Sequence, residues 1–142
     1  MKQIFVFASV LALLVVAAAC GSKTDSTATV SGKTIASVKV NDLTATLSNS
    51  TGQLKSGNQE VTLAFTDSAG KPVDVGAVSL NLHMPAMGSM AAMNNAVTFT
   101  TTATPGVYNG KINIEMAGEW QGQLAYEGPA GKGKATFSVS AR

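Results

Sequence analysis

Four methionines fall within ten residues, at Met84, Met87, Met90 and Met93, directly behind the chain's only histidine, His83. Met116 is the one further methionine beyond the initiator. A thioether is a soft, uncharged donor that favours Cu(I) over hard cations, and imidazole also suits copper. The stretch from His83 to Met93 therefore reads as a soft-metal site or as a flexible apolar surface. Either use depends on how the chain presents these side chains.

The flanking sequence reads as strands. Leu43, Ala45 and Leu47 alternate with hydroxyl residues, as do Val61, Leu63 and Phe65 with Thr62 and Ala64. Val78, Leu80 and Leu82 alternate with Ser79, Asn81 and His83, and Val97 and Phe99 alternate with threonines. Ile112 and Ile114, then Trp120, Leu124 and Tyr126, then Phe137 and Val139 continue the theme. Turn signals separate the runs at Ser68–Pro72, Pro105-Gly106 and Gly128–Gly131, with an ambiguous one at Asn109-Gly110. Period-two alternation with one polar face belongs to antiparallel sheets. The expectation is an all-β chain, an immunoglobulin-like antiparallel sandwich of seven or eight strands over residues 34–142. Only Ala86 to Met93 has room for a loose helical turn or two.

That pattern predicts where the methionines meet. A strand near 76–84 rises to His83-Met84, the methionine segment follows, and the chain descends along 96–103. It rises again along 107–116, which returns Met116 to the same end, where Trp120 starts the next descent. Five thioethers, one imidazole and one indole are thus expected at one rim.

Parity divides the candidates. His83 shares the outward phase of Ser79 and Asn81, which suits a ligand or an ordinary solvated residue. Met84 and Met116 share core phase with Leu80 and Ile114 and read as core plugs or as ligands. A spacing of three at Met87, Met90 and Met93 makes no helical face, leaving Cu(I) chelation or an adaptable partner contact. Trp120 reads as a core indole, with a cation–π cap over copper as the alternative.

The N-terminus bears on location. Met1-Lys2 is a short basic start, Ile4 to Ala19 is apolar or small, and Ala17-Ala18-Ala19-Cys20 is followed by a polar stretch. That order is the layout of a secretory signal, and the apolar run is short for a spanning helix. Small residues ending in cysteine resemble a bacterial lipobox, although Ala17 stands where leucine is usual. The resemblance implies a signal peptide over 1–19 and lipidation of Cys20, with 20–33, rich in Ser, Thr, Gly and Lys, as a flexible tether. The chain is then extracytoplasmic and anchored to a bacterial membrane on its periplasmic or cell-surface side.

Inventory argues against catalysis and nucleic acid. One histidine and one cysteine supply neither a zinc set nor a nucleophile–base pair, and no glycine-rich loop precedes a helix. Ten basic residues against eight acidic leave no stripe for nucleic acid. With a single cysteine there is no internal disulfide, so the fold rests on its core.

Three ordered motifs resemble the YtkA-like domain, a family related to FixH-like proteins. They are Asn81-Leu82-His83-Met84-Pro85-Ala86-Met87-Gly88, then Gly106-Val107-Tyr108, then Met116-Ala117-Gly118-Glu119-Trp120. The upstream Asp67–Val73 segment resembles the family's early hairpin, and the likeness spans roughly 57–139. It implies a small extracytoplasmic β-sandwich with a noncatalytic role in copper handling or oxidase assembly. Met90 and Met93 go beyond the His-Met-Pro-x-Met core of the motif. The expected cargo is Cu(I) or Ag(I), held by donors drawn from His83, Met84, Met87, Met90, Met93 and Met116. The expected partners are a membrane through the lipid anchor and copper-transport or oxidase-assembly proteins. The alternative is a protein-interaction module, on an oxidase or efflux complex, that uses the methionine segment as its apolar contact. Cu(I) affinity held by neutral sulfur should fall only modestly between neutral pH and pH 5.

Overall fold

The period-two runs become strands in a computed structural model that describes residues 31–142. The signal and lipobox features of 1–19, Cys20 and most of the tether lie outside the described residues. Nine strands follow in order: β1 Lys33–Val40, β2 Leu43–Asn49, β3 Gly57–Thr66, β4 Ala77–Met84, β5 Met93–Ala96, β6 Thr98–Thr101, β7 Val107–Ile114, β8 Gly118–Gly128 and β9 Gly131–Ala141. They form an antiparallel sandwich with sheet orders β1-β2-β3-β7-β6 and β5-β4-β8-β9. The described residues contain no helix.

Two details raise the strand number above the seven or eight expected. Residues 33–40 pair with β2 across an irregularity between Thr34 and Ala36, which blurs their alternation. The single descent expected along 96–103 is two strands in different sheets. β5 pairs with β4, the chain crosses at Val97, and β6 pairs with β7. Val97 is buried and its amide donates to the Leu80 carbonyl at 2.9 Å, which pins the crossing.

Asn109-Gly110 forms no turn; both residues lie within β7, paired with β3 and β6. Glycine serves a packing need there, because a Cβ on Gly110 would meet Val97 Cγ1 at 2.6 Å and Phe99 Cε1 at 2.8 Å. Phe99 stacks edge-on to Tyr108, and Phe65 sits edge-on to both Tyr108 and Tyr126. Leu47, Leu54, Leu63, Phe65, Leu80, Leu82, Ile114, Trp120 and Leu124 fill the space between the sheets, each 2 % exposed or less. Each contributes roughly 1.5–3 kcal/mol by leaving water. The C-terminal strand closes the far side, where the Arg142 amide donates to the Leu54 carbonyl at 2.9 Å.

Candidate functional site: the methionine hairpin

β4 and β5 are two arms of one hairpin with a constant register. Asn81 faces Ala96, Leu82 faces Asn95, His83 faces Asn94 and Met84 faces Met93. Beyond the sheet the same register continues to a bridge between Met87 and Met90. The Met87 amide donates to the Met90 carbonyl at 3.1 Å, and the Met90 amide returns the bond at 2.9 Å. Gly88 and Ser89 form the two-residue turn between them. Gly88 has φ of +57° and Ser89 is not left-handed, the pattern of a type II′ hairpin that needs glycine first. No helical turn forms between Ala86 and Met93.

The spacing of three thus resolves into two cross-strand pairs with different surroundings. Met84 keeps the inward phase of Leu80 and Leu82 and is 1 % exposed. Its partner Met93 is half-buried against the core. Met87 and Met90 stand out at 53 % and 39 % exposed, the exposed large apolar side chains among the described residues. Between the pairs, Pro85-Ala86 and Ala91-Ala92 belong to no strand and are exposed. The ladder lapses across these residues and resumes only at the tip.

Inward, the rim is closed by the β7–β8 connection. Met116 is half-buried against the core, and its carbonyl accepts the Trp120 indole N–H at 3.2 Å. Trp120 is 1 % exposed, as a core indole should be. Gly118 packs on the Met84 methyl: a Cβ there would lie 2.8 Å from Met84 Cε. Met84, Met93, Met116 and Trp120 therefore gather at one end, as the topology required.

His83 lies on the outer face of β4, half-buried, in register between Asn94 of β5 and Gln121 of β8. Its Nδ1 is 2.9 Å from Asn94 Oδ1, and Asn81 Nδ2 donates to that same oxygen at 3.2 Å. His83 and Met87 are four residues apart on one arm, a separation of about 13 Å for extended chain. The site thus has an outward imidazole, a tip with two thioethers, and an inward set of three. Asn94 and Asn81 were not singled out by sequence reasoning. The signal that finds them is the hairpin register once Gly88-Ser89 is taken as its turn.

Opposed residues on a β-ribbon have Cβ atoms about 5 Å apart. Two methionines so placed can converge on one soft cation, so the tip fits Cu(I) or Ag(I) as cargo. Among the described residues no three of His, Cys, Asp and Glu come together. A groove of about 490 Å³ lies elsewhere, on the outer face of the five-stranded sheet, lined by Glu60, Thr62, Thr98, Thr100, Asn109 and Lys111 among others. It is hydroxyl-rich, is spanned by a 3.9 Å Lys111–Glu60 pair, and includes no methionine.

The YtkA-like family model matches residues 37–125, more than half of the chain. That interval starts and ends before the 57–139 expected, and it holds the whole methionine hairpin and Met116. No curated protein and no solved structure matches the chain.

Proposed function

Because the chain belongs to the YtkA-like family, we propose that it is an extracytoplasmic lipoprotein, tethered through Cys20, that takes up Cu(I) or Ag(I) for copper handling or delivery. The observation that carries this reading is the exposed, cross-strand Met87–Met90 pair on a turn beyond the sheet. Two large apolar side chains held in solvent give no folding benefit, whereas neutral sulfur in that position can take a soft cation without first losing a proton. His83 is the nitrogen donor and Met93 the nearest further thioether. Met84 is read as core rather than ligand, and Met116 as a rim residue that orients Trp120 through its carbonyl. With one imidazole and no nucleophile–base pair, the protein acts by binding and not by catalysis.

The same exposed pair also suits an adaptable contact on an oxidase-assembly or efflux partner. One substitution separates the two readings. Changing Met87 and Met90 to leucine keeps the apolar surface and removes both sulfurs. A competition titration with a chromophoric Cu(I) chelator should show one-to-one binding lost in that variant. Equal Cu(I) binding by variant and parent would take the site away from the tip, and binding by neither would remove the metal reading. Retained capture of partner proteins would then mark the tip as a contact surface.

A further inference from the structure

The hydrogen bonds around His83 fix more than its position. Asn94 Oδ1 lies 2.9 Å from His83 Nδ1 and already accepts from Asn81 Nδ2 at 3.2 Å. Both contacts are made by Asn94 Oδ1, so the carboxamide presents its oxygen to the ring. A carbonyl oxygen has lone pairs and no proton, so the bond exists only when Nδ1 carries the hydrogen. A neutral imidazole has one N–H, and the opposite nitrogen is then bare.

We propose that Asn94 is a positioning residue for His83: it holds the imidazole as the Nδ1–H tautomer, so that Nε2 presents a free lone pair to a soft cation. The donor role rests on the proposed metal reading; the tautomer does not. The arrangement follows from the fold, because β4–β5 pairing sets Asn94 opposite His83 and the outward phase sets Asn81 on the same face. In water the neutral ring prefers the other tautomer, with Nε2 protonated. A solvated histidine would therefore present its less exposed nitrogen, and Asn94 reverses that preference. Metal-binding histidines are generally held in this way, by an acceptor on the nitrogen that does not meet the metal.

His83 is the only histidine, so its ring signals need no assignment by mutation. The test is a two-bond ¹⁵N–¹H correlation spectrum of the metal-free full chain in detergent, with labelled histidine, at a pH where the ring is neutral. The parent should show the Nδ1–H pattern. Asn94→Leu should switch it to Nε2–H, and Asn94→Asp, which restores an acceptor, should switch it back. A backbone amide spectrum of each variant reports folding. An Nε2–H pattern in the parent, or none of this switching in folded Asn94→Leu, would overturn the positioning role.

Ag(I) is then added as a diamagnetic probe. It should move the Nε2 resonance strongly while Nδ1 keeps its proton. If the methionine methyl signals move and Nε2 does not, the donor role of His83 is overturned and the thioether site stands. If neither set moves, the proposed function and the donor role fall together, with the tautomer result independent of both.

Discussion

Met84 Cε rests against Gly118, so close that a Cβ on that glycine would approach it to 2.8 Å. Met84 is 1 % exposed and joins the β4 arm of the hairpin to the start of β8. Truncation to alanine should cost about 2–5 kcal/mol, whereas leucine should cost less than about 1.5 kcal/mol. Met87→Ala at the exposed tip should stay within about 0.5 kcal/mol. Chemical denaturation of the three variants checks the contrast. A Met84→Ala protein as stable as the parent would show that the rim carries no packing load.

Asn95 breaks the apolar run of its own face. It lies opposite Leu82, is 9 % exposed, and its Nδ2 has no hydrogen-bond partner. An orphaned buried donor costs about 1–3 kcal/mol. Replacing Asn95 with leucine should therefore raise stability, by about 1 kcal/mol or more, while the β4–β5 register holds. A fall in the denaturation midpoint would mean that the amide has an unrecognised partner and stabilises the fold.

The strands were legible wherever one face is buried and the other wet, as in Val78–His83 and Ile112–Ile114, because burial imposes period two on composition. The methionine segment was harder to read. Its spacing of three has neither a helical nor a strand period, since it crosses a turn: Met84 and Met87 lie on one arm, Met90 and Met93 on the other. Asn109-Gly110 was ambiguous for a different reason. The pair is a strong turn signal, yet Gly110 is there to make room for Val97 and Phe99. The crossing at Val97 could not be read from alternation, because a strand that changes sheets keeps its phase while changing partners. The His83–Asn94 contact depends on register, which composition does not encode.

Tyr108 should set the alkaline limit of stability. Its hydroxyl donates to the Gly76 carbonyl at 3.0 Å and faces Asp74 Oδ1 at 3.4 Å. Burial first, then the negative charge of Asp74, raises its pKa above the usual 10.0. The folded protein therefore holds this proton more tightly than the unfolded chain. The resulting stability is complete below the unfolded pKa and is lost as pH rises through the folded one. Spectrophotometric titration should show one of the two tyrosines ionising late, and Tyr108→Phe should remove that late step. Stability of the phenylalanine variant should also be flatter above pH 10 than that of the parent. An unchanged titration would assign the late step to Tyr126 instead.

Pro85 separates the Met87–Met90 tip from the sheet. Its ring fixes φ at about −65°, and the chain on both arms is unpaired until Met87 and Met90. His83 and Met87 lie about 13 Å apart along an extended arm, so one cation reaches both only if the tip bends at this break. Pro85→Ala frees that dihedral, so the unpaired arms sample more conformations before binding. Ordering the freed residue on binding costs about 0.4–1 kcal/mol more. Cu(I) affinity should fall between about two- and fivefold, read by competition titration. An unchanged affinity would mean that the dihedral at position 85 does not place the tip for binding.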